Sequence, residues 1–229
     1  EIIMNIKITA LSLTLLIMAF VGCKKDETTQ PPSNDVPATI TYAGKTYHTV
    51  KIGSQYWIKE NLDVGTMIQG TDTAKNNGII EKYCYNNDTN NCNTYGALYQ
   101  WNEAMQYNTT PGTKGICPSG WHITTKAEFE TLIVAVDSNG NALKAEGQGG
   151  DAGAGTNTSG FSALISGYRD NYLHNDFIDM GIYAYFWSSK EYDAGGAYGM
   201  YLSNNVSSIS SNDYAYLKSG GFSIRCVKD

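Results

Sequence analysis

Residues 120–136 read GWHITTKAEFETLIVAV and contain the clearest helix signal of the chain. Thr125 and Glu128 fit a capping box, in which each side chain accepts a backbone N–H at the start of a helix. The apolar residues that follow recur at the spacing of one helix face: Phe129, Leu132, Ile133 and Val136. The stretch therefore predicts a helix that begins after Thr125 and packs one face into the core.

A first helix is predicted upstream, over residues 95–106. Leu98, Trp101 and Met105 lie at positions i, i+3 and i+7, a spacing that is typical of the buried face of a helix. The Asn-Thr pair before it could cap its first turn.

Strands are predicted on both sides of these helices. Residues 39–58 suggest two or three short strands, because Ala43-Gly44 and Gly53-Ser54 are typical hairpin turns. From Phe161 onward no helical period is present, and short apolar segments alternate with turns: 161–166, 185–191, 198–203, 206–210, 214–218 and 222–227. Strands, then helices, then strands is the order of an α+β fold.

The composition excludes two classes of protein. The 229 residues have a net charge of −6, and only 17% of them are charged, which argues against a charge-rich disordered chain. Lys24-Lys25 is the longest basic run, so a nucleic-acid partner is not expected, because such binding needs clustered cations. The 17 tyrosines and 24 glycines instead indicate an exported, loop-rich domain.

No motif predicts catalysis or a cofactor. Residues 147–160, GQGGDAGAGTNTSG, are expected to be a flexible loop, and they lack the lysine of a phosphate-binding loop. The Gly-x-Ser-x-Gly elbow of serine hydrolases is also missing. His122, next to the predicted helix start, is interpreted as a structural histidine.

The N-terminus predicts a lipoprotein signal peptide over residues 1–22, with translation starting at Met4. Its apolar stretch of 14 residues, 8–21, is shorter than the ~20 residues that cross a bilayer and suits a secretory leader. Residues 20–23, FVGC, resemble a lipobox, which implies that Cys23 carries the lipid. The alternative is an ordinary signal peptide followed by an incidental cysteine.

Residues 23–37 are predicted to be the lipidated cysteine and a flexible tether, followed by a single domain over 38–229. Lys25-Asp26-Glu27 resembles the signal that sends lipoproteins to the outer face of the outer membrane. The expected location is therefore the cell exterior, with the membrane as partner through the lipid anchor.

Four cysteines remain for disulfides, and three connectivities are possible: Cys84, Cys92, Cys117 and Cys226. Pairing Cys84 with Cys92 closes the shortest loop and is preferred, which leaves Cys117 for Cys226. A zinc site is disfavoured because the chain has no Cys-x-x-Cys and its three histidines lack zinc-ligand spacing.

Several segments together resemble the Fibrobacter succinogenes major paralogous domain of exported bacterial proteins, for which no activity is established. They are QYWIKENL (55–62), YGALYQW (95–101), CPSGWHI (117–123), GFSAL (160–164), GYRD (167–170), FWSS (186–189) and SIRCVKD (223–229). The resemblance covers about 190 residues and implies a family without implying a function.

A more distant likeness bears on the fold. Residues 120–130 and 221–227 are similar to the helix start and closing strand of formylglycine-generating, sulfatase-modifying proteins. This implies a C-type-lectin-like fold, with two helices, a small twisted antiparallel sheet and long loops. The reactive cysteines of those enzymes and the calcium-binding tripeptides of lectins have no counterpart here, so neither activity is implied.

Seven tyrosines lie within residues 183–216, among serine, asparagine and glycine. Tyrosine gives a sugar or a protein both a ring face and a hydroxyl at low rotamer cost. The predicted ligand surface consists of Tyr198, Tyr201, Asn204, Tyr214 and Tyr216. The alternative is a purely structural role, in which half of these tyrosines point into the sheet core.

These features favour a surface-anchored, non-catalytic binding module for a glycan or a protein. The alternatives are a structural component of the cell surface, or a hydrolase or modifying enzyme.

Overall fold

The structure is a computed structural model that describes residues 36–171, 176–211 and 215–229. The predictions for the leader, for Cys23 and for most of the tether fall outside these residues. The Val36–Asp229 part forms one compact unit.

The strands of the described residues are short. In chain order they are β1 (Thr39–Tyr42), β2 (Lys45–Ile52), β3 (Gln55–Ile58), β4 (Thr66–Met67), β5 (Glu81–Lys82), β6 (Tyr99–Gln100), β7 (Trp121–Ile123), β8 (Ser166–Arg169), β9 (Phe177–Met180), β10 (Tyr183–Glu191), β11 (Gly196–Ser203), β12 (Ile209–Ser210), β13 (Tyr216–Leu217), β14 (Gly221–Phe222) and β15 (Cys226–Lys228). The helices are α1 (Thr89–Tyr95), α2 (Trp101–Ala104), α3 (Lys126–Ala135) and α4 (Gly140–Leu143). This combination of helices and sheets confirms the predicted α+β class.

The five-stranded sheet has the order β1-β2-β3-β15-β7 and joins the two ends of the domain. The predicted N-terminal hairpins are confirmed, and Ala43 and Gly44 both have a positive φ at the first turn, as a tight two-residue hairpin turn requires. Val227 in the last strand pairs with Trp57 on one side and His122 on the other.

The larger sheet has the order β12-β11-β10-β8-β14-β6, with β13 on β11 and β9 on β8. Most of its pairs are antiparallel, but β8 and β10 run parallel. The sheets therefore differ from the predicted small antiparallel sheet in size and in this parallel pair. The long β10–β11 hairpin forms the centre of the larger sheet.

Helix α3 begins where the sequence predicts. The Glu128 N–H donates to Thr125 Oγ1 at 3.2 Å, and the Thr125 N–H donates to Glu128 Oε2 at 2.8 Å, which completes the capping box. Phe129 and Leu132 are buried, and the Phe129 ring stacks 6.0 Å from that of Trp57. This face of α3 packs into the second of two core clusters.

The predicted helix over 95–106 is wrong in most of its length. Gly96 ends α1 with a φ of 79°, and a Cβ there would lie 2.4 Å from the Asn61 Cβ. The backbone then pairs as a strand, with Tyr99 opposite Phe222, and only Trp101–Ala104 is helical. The pairing of this segment with a distant strand thus decides its structure, although its apolar residues have helical spacing.

The glycine loop is docked rather than free, contrary to the flexible loop predicted. The Gly150 N–H donates to the Asn204 carbonyl at 2.8 Å. A Cβ on Gly153 would lie 2.2 Å from the same oxygen. The glycines allow the backbone to approach the end of β11 closely.

Among the described residues, no helix is both long and apolar enough to cross a bilayer.

Candidate functional site

The larger sheet presents aromatic side chains from three adjacent strands on one face. Side chains alternate along a strand, so Tyr183, Tyr185 and Trp187 share one face of β10 while Ala184 and Phe186 point into the core beneath α3. Tyr201 of β11 lies directly opposite Tyr185.

Five half-buried tyrosines on this side are in ring contact, and we call them the tyrosine face: Tyr168, Tyr183, Tyr185, Tyr201 and Tyr216. Tyr185 is central, since its ring centroid lies 4.9 Å from that of Tyr168, 5.3 Å from that of Tyr201 and 5.6 Å from that of Tyr216. The rings therefore cross strands β8, β10 and β11 without interruption.

A buried aromatic layer holds the tyrosine face in place. The Phe222 ring stacks 4.8 Å from that of Tyr185 and 4.2 Å from that of Trp187. Trp187 is fixed in turn, because its indole N–H donates to the Tyr99 carbonyl at 2.8 Å. The half-buried rings thus rest on rigid side chains, which limits the entropy lost when a ligand binds.

The hydroxyls of the tyrosine face differ from those of several other tyrosines, which bond within the protein. The Tyr83 hydroxyl donates to the Asp72 carbonyl, the Tyr99 hydroxyl to the Val64 carbonyl and the Tyr107 hydroxyl to Glu103. In the tyrosine face, by contrast, no hydroxyl has a hydrogen-bond partner among the described residues, and none is a buried unpartnered atom. These hydroxyls therefore reach solvent.

Burial keeps three of these phenols neutral at physiological pH. Burial raises the pKa of Tyr185, of Tyr216 and of Tyr168 above the ordinary value of 10.0. Asp179 lies close enough to raise the pKa of Tyr168 and Tyr185 further, and burial raises its own pKa. Its carboxylate has no hydrogen-bond or ion-pair partner in the described part of the chain. The face therefore offers phenol donors beside one unpaired carboxyl group.

The residues predicted from the sequence do not form one surface. Tyr201 and Tyr216 lie in the tyrosine face, but Tyr198 points to the opposite side of β11, where its ring lies 5.5 Å from that of Tyr192. Asn204 follows the end of β11, and its side chain donates to the Gly181 carbonyl at 2.9 Å. Tyr214 lies outside the described residues.

Three members of the tyrosine face were missed by the sequence reasoning: Tyr168, Tyr183 and Tyr185. The alternation in YAYFW, residues 183–187, carries a signal for the last two, because positions i and i+2 of a strand share a face. The same rule separates Tyr198 from Tyr201, since they are three residues apart.

The cysteines and His122, which the sequence analysis also considered, are held by contacts within the protein. Disulfides join Cys84 to Cys92 and Cys117 to Cys226, as preferred from the sequence. His122 is held at both ring nitrogens, 2.8 Å from Glu128 and 2.8 Å from Asp229. Within the described ranges, no group of three or more His, Cys, Asp or Glu residues could hold a metal ion.

Comparison with known proteins gives one match. A family model described as the Fibrobacter succinogenes major domain matches residues 50–228, which include every strand of the tyrosine face. Neither a curated protein nor a solved structure matches the chain significantly.

Proposed function

The chain belongs to the Fibrobacter succinogenes major domain family, and we propose that it is a non-catalytic binding module whose tyrosine face holds a ligand. The observation that carries the proposal is the set of ring-packed tyrosines whose hydroxyls have no hydrogen-bond partner in the part of the chain that the structure describes. A tyrosine that served only the core would bury or bond its hydroxyl, as Tyr83 and Tyr99 do.

A glycan is the ligand class that this chemistry supports best. The C–H face of a sugar can pack on a half-exposed ring, while its hydroxyls exchange hydrogen bonds with phenols and with Asp179. Strands spaced about 4.8 Å apart place ring after ring along a line, which suits a chain of sugars better than a single one.

The experiment for this proposal is a broad glycan array probed with the lipid-free chain. Wild type and Tyr201→Ala are compared, with Tyr198→Ala as the matched control on the opposite face of β11. We expect a glycan that binds wild type and the control but not Tyr201→Ala. A hit that all three proteins bind equally would place the glycan elsewhere.

A protein ligand is the second candidate, because tyrosine is also suited to protein recognition. The ring contacts from Tyr168 to Tyr201 give a continuous aromatic area of the kind enriched at interfaces. Self-association, as in a structural component of the cell surface, is one form of this candidate. Native mass spectrometry of wild type against Tyr201→Ala tests it, since an assembly through this face dissociates in the variant.

We also propose that the module is exported and held by lipid on Cys23 at the outer face of the outer membrane, with the following residues as tether. The two disulfides support an oxidising compartment. Intact-mass measurement of wild type and Cys23→Ala tests the lipid, and protease treatment of whole cells tests exposure.

For the architecture we propose a C-type-lectin-like arrangement. Its support is the pairing of β3 with β15, which joins the domain's ends, and the disulfide from mid-chain Cys117 to Cys226 in the last strand. The four helices, three of them seven residues or shorter, depart from the two expected. Superposition of an experimental structure on that fold is the test.

A further inference from the structure

A second concave site lies apart from the tyrosine face. It is a groove of about 460 Å³ between β2, α1 and the segment after β3, and none of the five face tyrosines lines it. Three cations line it: Lys45, Lys59 and Arg225. We propose that this groove binds an oxyanion group, a carboxylate or a phosphate, of a ligand.

Arg225 is a buried charge that forms no ion pair with a carboxylate of the described residues. It is 1% exposed, and its guanidinium donates to Asn61 Oδ1 at 2.7 Å and to the Phe161 carbonyl at 2.7 Å. Its remaining bonds, at 3.2 Å, go to the carbonyls of Ile58 and Ser162. Each of these hydrogen-bond partners is neutral. The guanidinium also lies 4.4 Å from the centre of the Phe161 ring, and the charge of Glu60 acts on it from nearby. No carboxylate contacts it directly, so its positive charge is only partly compensated.

The charge on Arg225 persists at neutral pH. Burial lowers its pKa to about 9, which is still above the pH of an ordinary medium. The bond from its outer nitrogen Nη2 goes to Ser162, which also lines the groove. Positive potential from the buried guanidinium therefore acts on the groove through a short, poorly screened path.

Lys59 adds a free cation on the groove wall. Its ammonium has no hydrogen bond and no ion pair with any residue that the structure describes, and its side chain is half-buried. An ammonium in this setting is available to a ligand at no cost in broken protein contacts.

The two carboxylates of the groove are already engaged. Asp63, whose side chain is 4% exposed, accepts from both Lys45 and Lys82. Glu60 accepts from the His48 backbone N–H at 2.8 Å and contacts its ring Nδ1 at 2.7 Å.

The groove therefore has more positive than negative charge, although the chain as a whole has a net charge of −6. An anion in the groove would contact Lys59 directly and would be attracted by the charge of the buried Arg225. Charge-assisted hydrogen bonds to an ammonium group are among the stronger hydrogen bonds.

The test is an NMR titration of the lipid-free chain with three probes: inorganic phosphate, glucuronate and glucose. We expect shifts of groove residues with phosphate or glucuronate and none with glucose, and the responding probe identifies which oxyanion is preferred. Binding should weaken when salt rises from about 20 mM to about 300 mM, since screening shortens the range of charge attraction.

Lys59→Gln removes the free cation and should raise Kd for the responding anion at least about fivefold. Lys51→Gln, an exposed lysine outside the groove, is the matched control and should leave Kd unchanged, as should Tyr201→Ala. Failure of glycan binding at the tyrosine face thus leaves this result unaffected. No shift with either anion, or equal Kd in Lys59→Gln and wild type, overturns the proposal.

Discussion

The rings of Tyr185 and Tyr201 lie 5.3 Å apart, directly across the β10–β11 pair. Both rings are half-buried, and Tyr185 packs against the first of the two core clusters, while the other side of these strands packs against the second. Cross-strand aromatic pairs stabilise a sheet by themselves. Phenylalanine rings could pair across the strands equally well. Cross-strand pairing therefore does not account for the free hydroxyls of these two tyrosines and of the adjoining ones.

Replacing Tyr201 by alanine should separate binding from stability. The ring is half-buried, so we expect unfolding to become easier by only about 1–2 kcal/mol. Loss of a ligand-contacting tyrosine should weaken binding by at least about tenfold. Isothermal calorimetry with the array hit measures the second effect and urea denaturation the first. Equal calorimetric affinity in wild type and variant would exclude Tyr201 as a contact.

The two disulfides should differ in their contribution to stability. Cys117 and Cys226 are 109 residues apart and Cys84 and Cys92 only eight. On the chain-entropy account, removing the long-range bond by a double alanine variant costs about 5 kcal/mol and removing the local one about 2.5 kcal/mol. Denaturant unfolding of both variants checks the order. A larger loss for the Cys84/Cys92 variant would contradict it.

Stability should depend on pH through His122 and Glu128. The hydrogen bond that the His122 ring donates to the Glu128 carboxylate raises the pKa of His122 above its unfolded value of 6.5. The stability that this bond contributes is therefore full below pH 6.5 and is lost as pH rises through the folded pKa. For Glu128, burial alone would raise the pKa, but the His122 hydrogen bond lowers it overall, so its contribution is present above 4.5 and is lost in acid.

The pair should therefore stabilise the domain most between about pH 4.5 and 6.5. We expect the stability of wild type to decline as pH rises through the folded pKa of His122, and His122→Gln to remove that decline. Thermal unfolding across this range measures the effect, with His48→Gln as a control at the other histidine. An unchanged pH profile in His122→Gln would show that this contact contributes no pH dependence.

The docked glycine loop predicts a contrast between two neighbouring glycines. Gly153→Ala should lower Tm by several degrees, because its Cβ would lie 2.2 Å from the Asn204 carbonyl oxygen. Gly150→Ala should be tolerated, since its φ is −154° and nothing lies within 4 Å of the added carbon. Equal Tm values for the two variants would mean that the loop does not pack as described.

Local signals predicted the elements that depend on local chemistry. The turn residues Ala43-Gly44 predicted the first hairpin, and the pair Thr125 and Glu128 predicted the start of α3. The turn and the capping box each involve backbone groups only a few residues apart, so both can be recognised from the local sequence.

Features that depend on distant partners were not predictable in this way. The 95–106 segment has helical spacing, but Tyr99 pairs with Phe222, more than a hundred residues away. The tyrosine face likewise needs Tyr168 beside Tyr185, which follows from the parallel β8–β10 pair. No local pattern states that those strands are neighbours, so the candidate site was only partly predicted.

The most direct test of the central claim is the side-by-side glycan array with wild type, Tyr201→Ala and Tyr198→Ala. A ligand contacting the tyrosine face should bind wild type and Tyr198→Ala and be lost in Tyr201→Ala. A glycan that binds Tyr201→Ala as strongly as wild type would contradict the claim that this face is the glycan site.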